Sequence, residues 1–293
     1  MIDKETDVKA KVGILTDTNS GILASEQAAW NVHVISMPVV IDEEVFYENE
    51  TITKAEYYEK LEAGCDISTS QPSPGIVTDI FDKLLEDYEE LICIPMSSGL
   101  SGTCATMTML AEDYEGRIHV IDNKRISVTM VQAVKDAVVL RDAGWDAKDI
   151  AEYLRKDALN ASIYVAVDTL KYLKKGGRVT PAGAAIGEVL NIKPVLQIQG
   201  EKLDAFSKVR GMKAAQKTMV KAIEADKNKR FDGQEVIITA AYSGDEEGGE
   251  KWLSVVREHF GDEEIALYHL PLSISTHVGP GAFGIGIMSF AKP

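Results

Sequence analysis

The sequence predicts an α/β protein of two domains, and three observations lead to this prediction. The chain has 293 residues, which is long for a single compact domain. In its first half, segments rich in β-branched residues alternate with segments of helical apolar spacing, which is typical of βαβ units on a parallel sheet. In its second half, two strand-like runs flank residues 199–202 and indicate an antiparallel hairpin, so we expect a mixed second sheet. We place the boundary near residue 161, which gives domains of residues 1–161 and 162–293.

The elements of the first domain follow from apolar periodicity and from the residues that begin and end each segment. Its strands are expected at residues 11–18, 32–41, 91–95 and 117–122. Its helices are expected at residues 54–64, 74–88, 128–144 and 147–160, with one more opening at Ser101. Ser73 is well placed to cap the helix that Pro74 begins, because proline at the first helical position loses no hydrogen bond.

The elements of the second domain are predicted in the same way. Its strands are expected at residues 163–170, 235–242, 265–270 and 284–290, with the two runs of the hairpin inside residues 193–210. Its helices are expected at residues 212–226 and 247–260. The chain shows no internal repeat and no low-complexity tract.

Charge and composition exclude several classes of function. The net charge of −15 opposes binding to nucleic acid and to anionic bilayers over most of the surface, which leaves room only for transient membrane contact. No apolar run approaches the roughly 20 residues of a membrane-spanning helix, and the first residues lack the apolar segment of a secretory signal. Cys65, Cys93 and Cys104 form no CxxC pair and suit buried packing positions, so we expect a reduced, cytoplasmic setting.

Two loops place hydroxyl groups at the entrance of a helix. TSQPSPG carries Thr69 and Ser70 ahead of the helix at Pro74, and MSSGLSGT carries Ser98 and Ser101 after the strand at residues 91–95. Loops that follow the strands of a parallel sheet gather at one edge, where ligands bind, and helix starts favour an anion. The two loops together suit a small anionic group held without formal charge, although loop hydroxyls also bond to nearby backbone.

His277 and a short basic cluster are the other candidates for contact with an anion. His277 lies in STHVGPG, which we interpret as a turn-rich loop between two strands, and its imidazole can donate a hydrogen bond. No second histidine or acidic residue stands at ligand spacing nearby, so we expect no metal. Arg178 ends the cluster KKGGR and Arg210 follows in KVRG, and guanidinium groups match carboxylate and phosphate geometry. The lysines of the cluster suit a solvated surface.

The loops do not match two better-known catalytic motifs. MSSGLSGT lacks the GKS or GKT ending of a nucleotide-binding P-loop, and its second glycine comes one residue too early for GxSxG. Ser101, Asp168 and His277 nevertheless follow an order that suits a catalytic triad, so a serine hydrolase stays open as an alternative.

Eight segments taken in order resemble the DegV family, and they cover almost the whole chain. The segments are TDT, TSQPSPG, MSSGLSGT, VIDN, LKYLKKGGR, KPVL, KVRG and STHVGPGAFGIG. The sequence departs from the family pattern at Asn123, where serine is usual, and at Thr18 and Asn19, where Ser-Thr is common. We expect none of these departures to contact a ligand.

The resemblance implies a three-layer α/β/α domain with a parallel sheet, followed by a two-layer α/β domain with a mixed sheet. It implies a long-chain fatty acid in a tunnel between the domains, no cofactor, and no complete active site. A separate ATP-dependent kinase, similar to dihydroxyacetone kinases, would phosphorylate the fatty acid carboxylate, and the acyl phosphate would feed phospholipid synthesis. The alternative is a fatty acid carrier or sensor without a kinase.

The resemblance also implies roles for individual residues. Thr69, Ser101 and His277 match the positions that hold the carboxylate. Three further residues of the same loops complete the expected carboxylate site, namely Ser70, Ser98 and Gly279. Arg178 and Arg210 match arginines implicated in phosphotransfer or in docking of the kinase.

Overall fold

A computed structural model of the chain describes residues 10–185, 191–200 and 202–292. Its architecture is α/β with a parallel sheet first and a mixed sheet second, which confirms the predicted fold class. Residues 1–9 of the amino-terminal segment and Glu201 of the predicted hairpin turn lie outside the described residues. The domain boundary near residue 161 stays a prediction.

The secondary structure of the described residues alternates between strands and helices. The strands are β1 (Ala10–Asp17), β2 (His33–Ile35), β3 (Pro38–Ile41), β4 (Glu44–Tyr47), β5 (Ile67–Thr69), β6 (Tyr88–Ile94), β7 (Ile118–Val120), β8 (Ala161–Ala166), β9 (Ile192–Ile198), β10 (Asp204–Arg210), β11 (Ile237–Tyr242), β12 (Ala266–His269) and β13 (Phe283–Met288). The helices are α1 (Ala24–Trp30), α2 (Lys54–Glu62), α3 (Pro74–Asp87), α4 (Thr103–Ala111), α5 (Ser127–Asp142), α6 (Ala147–Asp157), α7 (Lys171–Gly176), α8 (Pro181–Ala184), α9 (Met212–Lys229), α10 (Glu246–Phe260) and α11 (Leu272–Val278).

The first sheet is parallel and has the order β2-β1-β6-β7. Side chains alternate across it, so Leu15 and Leu91 pack toward α3, while Ile14 and Ile92 pack toward α5 and α6. Helices cover both faces, which gives three layers and explains the near-continuous apolar runs of its inner strands.

Helix α3 begins as the sequence predicts. The Ser73 hydroxyl accepts a hydrogen bond from the Ile76 N–H (3.3 Å), and Pro74 occupies the first turn. The helix buries Val77 and Phe81 against the sheet, at the spacing of one helix face.

The segment at residues 32–41 was expected to form one strand, and this expectation is wrong. It forms β2 in the parallel sheet and β3 in a separate antiparallel sheet of order β4-β3-β5. The chain crosses between the sheets at Met37, whose N–H donates to the Thr18 hydroxyl (3.0 Å). Apolar residues continue through both strands, so hydrophobicity does not mark the crossing. Pro38, at the first position of β3, was the local signal. The small sheet matters because β5 ends at Thr69.

The second sheet is mixed and has the order β10-β9-β8-β13-β11-β12. The predicted hairpin is present, because β9 and β10 pair antiparallel. Helices α9 and α10 cover one face of this sheet. Its other face packs against residues of the first domain such as Leu100, Ile126 and Val128, so one apolar core spans the seam between the sheets.

None of the helices in the described ranges is both long and apolar enough to cross a bilayer.

Candidate functional site

A cavity of about 280 Å³ lies at the seam between the two sheets. Its walls combine polar and apolar side chains from both sides of residue 161. The polar residues of the wall are Asn19, Thr69, Ser70, Gln71, Ser101, Arg178, Ser273 and His277. Five of the eight residues predicted for the site therefore meet in one cavity.

Both hydroxyl-rich loops reach this cavity, but only MSSGLSGT follows a strand of the parallel sheet. The TSQPSPG loop follows β5 of the small antiparallel sheet, a strand that the sequence analysis did not predict. Thr69 ends β5, whose pairing with Val39 of β3 fixes its place. Helix α4 begins at Thr103 and not at Ser101, so Ser101 lies just ahead of the helix. Its hydroxyl accepts a hydrogen bond from the Thr103 N–H (3.2 Å) and lies 2.8 Å from the Thr103 hydroxyl. Both Thr69 and Ser101 are half-buried at the cavity wall.

His277 lies in the last turn of α11, and its assignment to a loop is corrected here. The helix has seven residues, and Gly279 follows it with a φ of 76°, which suits glycine. The helix was not predicted because it is short and because the residues that follow it in STHVGPG are typical of turns. The His277 Nε2 atom lies 2.9 Å from the Thr69 hydroxyl oxygen, so the fold joins two residues that are 208 positions apart.

The His277 imidazole is neutral at physiological pH. Burial, with a smaller contribution from the Arg178 charge, lowers the pKa of His277 to about 4. Its Nδ1 atom is buried and has no hydrogen-bond partner within the described part of the chain. A buried N–H without a partner is rarer than a buried acceptor without one, so we assign the proton to Nε2. The ring then donates to Thr69, and the hydrogen of the Thr69 hydroxyl stays available to the cavity.

Arg178, which the sequence analysis gave as a candidate for contact with an anion, lies at the cavity wall. The half-buried guanidinium donates from Nε to the Leu100 carbonyl (3.3 Å) and from Nη1 to the Gly176 carbonyl. It thereby ties the segment after α7 to the loop before α4, with the charge at the cavity wall. This position suits contact with an anion inside the cavity or at its mouth.

Three predicted site residues are not part of the cavity wall: Ser98, Gly279 and Arg210. The Ser98 hydroxyl donates to the Asp122 carboxylate (2.5 Å) and accepts from Lys124 (3.0 Å), which directs it away from the cavity. The Gly279 carbonyl accepts a hydrogen bond from the Ser243 hydroxyl (2.5 Å), and Gly279 ends the helix that carries His277. Arg210 is exposed at the end of β10.

Sequence reasoning missed Asn19 and Gln71. Asn19 was expected to lie away from a ligand, but it is buried in the cavity wall, where it accepts from the Ser273 hydroxyl (2.7 Å) and donates to Asp17 (2.7 Å). Burial raises the pKa of Asp17 to about 6. Asp17, a charged residue at the end of the apolar strand β1 and two positions ahead of Asn19, was the available signal. Gln71 donates to the Thr106 hydroxyl (3.0 Å) and so links the TSQPSPG loop to α4.

The geometry does not assemble the catalytic triad that the sequence order allowed. His277 Nε2 bonds to Thr69, and the Ser101 hydroxyl bonds to Thr103. The exposed Asp168 carboxylate pairs with Lys193 (2.5 Å). Within the described residues, no three His, Cys, Asp or Glu side chains are grouped so that they could hold a metal ion.

A second, smaller cavity of about 50 Å³ lies directly beside the first. The two cavities share four wall residues, Ile126, Leu203, Ile274 and Val278. Beyond them the wall is apolar apart from Ser127, and it includes Val165, Ala241 and Gly284 from the mixed sheet. A cavity with polar groups in its wall therefore adjoins an apolar one.

Comparison with known proteins identifies the family. A family model described as an uncharacterised protein of the DegV family matches residues 11–289. A DegV domain-containing protein of Listeria innocua is 32% identical over 281 residues, which cover 94% of this chain and 97% of the relative. A fatty acid binding DegV family protein of Thermus thermophilus has 28% identity and a TM-score of 0.84, with 96% of this chain and all of that one covered. A fatty acid binding DegV family protein of Streptococcus agalactiae has 26% identity and a TM-score of 0.86, with 96% and 99% covered. The chain therefore belongs to the DegV family.

Proposed function

We propose that the protein binds one long-chain fatty acid in a tunnel between its two domains and presents the carboxylate to a separate kinase. The observation that carries the proposal is the cavity with Thr69, Ser101 and His277 in its wall, which adjoins an apolar cavity. The carboxylate would lie among these three residues and the tail among the apolar side chains. Relatives of this fold from Thermus thermophilus and Streptococcus agalactiae, described as fatty acid binding, support the choice of ligand.

The tail supplies most of the affinity in this proposal, and the head fixes the direction. Burial of each methylene group contributes about 0.8 kcal/mol, so a 16-carbon chain offers on the order of 11 kcal/mol before the costs of binding. One charge-assisted hydrogen bond contributes only about 1.5 to 3 kcal/mol. The hydroxyls of Thr69 and Ser101 would nevertheless keep the buried carboxylate ionised, because hydrogen bonds to the charged form oppose the effect of desolvation.

The ionised carboxylate is the nucleophile that phosphorylation needs. One carboxylate oxygen would attack the γ-phosphorus of ATP held by a dihydroxyacetone-kinase-like partner, the bond to the bridging oxygen would break, and ADP would leave. The product is an acyl phosphate for phospholipid synthesis. Arg178, half-buried at the cavity wall, would balance the charge that gathers as the phosphoryl group approaches. In this proposal the chain needs no cofactor and has no complete active site of its own, and Arg210 would contact the kinase.

The experiment is to mix the purified protein, a fatty acid, ATP and the partner kinase, and to trap acyl phosphate with hydroxylamine. We expect product from the parent chain. Arg178→Ala should retain binding but slow transfer by at least tenfold, whereas Arg178→Lys, which keeps the charge, should recover part of the rate.

Absence of product with a kinase shown to be competent would favour a carrier or sensor. Equal loss of binding and transfer in Arg178→Ala would assign that residue to fatty acid binding, since it also holds the loop at Leu100.

A further inference from the structure

Strand β13, one of the two central strands of the mixed sheet, contains two glycines, and packing explains only one of them. Gly284 and Gly286 lie in β13, with β8 on one side and β11 on the other. Glycine inside a strand weakens it, because its backbone is freer and it has no side chain to pack. Neither glycine adopts a positive φ, so backbone conformation does not require them. Each needs another reason.

Gly286 is explained by close packing. A β-carbon at this position would lie 2.8 Å from Val128 Cγ2 and 3.3 Å from Thr129 Cγ2. Both side chains belong to the first turn of α5. The glycine therefore allows the helix to lie directly on the sheet at the seam.

Gly284 has no such neighbour. A β-carbon there would meet its nearest atom, the Ala241 β-carbon, at 3.6 Å, which is an ordinary contact. The strand register places Gly284 beside Val165 on β8 and Ala241 on β11, and all three residues line the smaller, apolar cavity. Gly284 has no side chain and its neighbour Ala241 has only a methyl group, so this part of the wall leaves the cavity open.

We propose that Gly284 determines the chain length of the fatty acid by keeping the apolar cavity open. This inference rests on the proposed function, because it assumes a carboxylate at Thr69 and His277. From there the tail would pass the four residues shared by both cavities and lie over the row Val165, Gly284 and Ala241. The substrate class is thus an acyl chain long enough to reach β13.

The test is a binding profile for saturated fatty acids of increasing length, from about 8 to about 20 carbons, with Gly284→Ala and Gly284→Val beside the parent chain. Each methylene group displaced from the apolar cavity should weaken binding roughly fourfold, because its burial contributes about 0.8 kcal/mol. We expect the optimum to move to shorter acids, slightly for Gly284→Ala and by two or more carbons for Gly284→Val. Binding of the shortest acids should stay within twofold of the parent chain and serves as the check on folding.

Two results would overturn this inference without touching the proposed function. One is an unchanged length profile in both variants, and the other is an equal loss for all lengths in Gly284→Ala, whose methyl group has room. If the parent chain binds no fatty acid of any length, the proposed function itself fails. The three outcomes are therefore distinguishable.

Discussion

At the scale of single residues, the site depends on a hydroxyl oriented by a neutral imidazole. The His277 ring donates from Nε2 to Thr69 and leaves the threonine hydrogen for a ligand. The sequence could indicate Thr69 and Ser101, because hydroxyls at helix entrances are a local pattern. It could not indicate that Thr69 meets His277, since that contact depends on how α11 packs against β5.

Replacing Thr69 by valine keeps the shape and removes the hydroxyl. We expect fatty acid affinity to fall by roughly 10- to 150-fold, which corresponds to the loss of one charge-assisted hydrogen bond of about 1.5 to 3 kcal/mol. Phosphorylation should suffer more than binding, because the reactive oxygen would lose its position. Titration of a fluorescent fatty acid, alongside the kinase assay, measures both quantities.

Thr69→Ser is the matched control and should retain affinity within a few-fold. Unchanged affinity in Thr69→Val would remove Thr69 from the carboxylate site.

The low pKa of His277 has a consequence for stability at acid pH. Its pKa is about 4 in the folded chain and ordinarily 6.5, so between these values the unfolded chain takes up a proton that the folded chain refuses. The contribution of His277 to stability is therefore complete above pH 6.5 and is lost as pH falls toward 4. Urea denaturation of the parent chain and of His277→Gln should show a difference in free energy of unfolding that shrinks over this range.

Asp17 has the opposite effect on stability. Its pKa is raised to about 6 in the folded chain, so the folded chain gains stability as pH falls below that value. It is present in both proteins, so it cancels from that difference. A difference that stays constant from pH 7.5 to pH 4.5 would contradict the account of His277.

At the scale of elements, the sequence predicted those whose signals are local. The cap at Ser73 and the proline after it define the start of α3, and the β-branched runs define the strands of both sheets. Helix α11 was missed because its seven residues are too few to show a period and are followed by turn formers. The break between β2 and β3 was missed because apolar residues continue across it, although the two strands belong to different sheets.

The two glycines of β13 give a prediction about packing that is independent of any ligand. Gly286→Ala would place a methyl group 2.8 Å from Val128 Cγ2, so we expect a loss of about 1 to 3 kcal/mol in the free energy of unfolding. Gly284→Ala, two residues earlier on the same face, is the matched control and should change the stability by less than about 1 kcal/mol. Chemical denaturation of both variants checks the difference, and equal stabilities would mean that α5 does not lie on Gly286 as described.

At the scale of the whole molecule, the proposed binding site lies in the seam between the two sheets. The parallel sheet is covered by helices on both faces, whereas the mixed sheet has the long helices α9 and α10 on one face and the short helices α7 and α11 on the other. On that second face, its apolar side chains also pack against Leu100, Ile126 and Val128 from the first half of the chain. The two adjoining cavities lie in this shared core, and the larger one has polar groups in its wall. Chain length and the change in pattern between the two halves predicted two domains, but only the packing of the sheets could reveal the cavity at the seam.

Mass spectrometry of the lipid that accompanies the protein tests the central claim most directly. The purified protein would be denatured, and its lipid would be extracted and analysed. A double variant with Thr69→Val and Ser101→Ala would be treated in the same way. We predict close to one molar equivalent of long-chain fatty acid from the parent chain and clearly less from the double variant. Recovery of no fatty acid from the parent chain, together with no binding when fatty acid is added, would contradict the account.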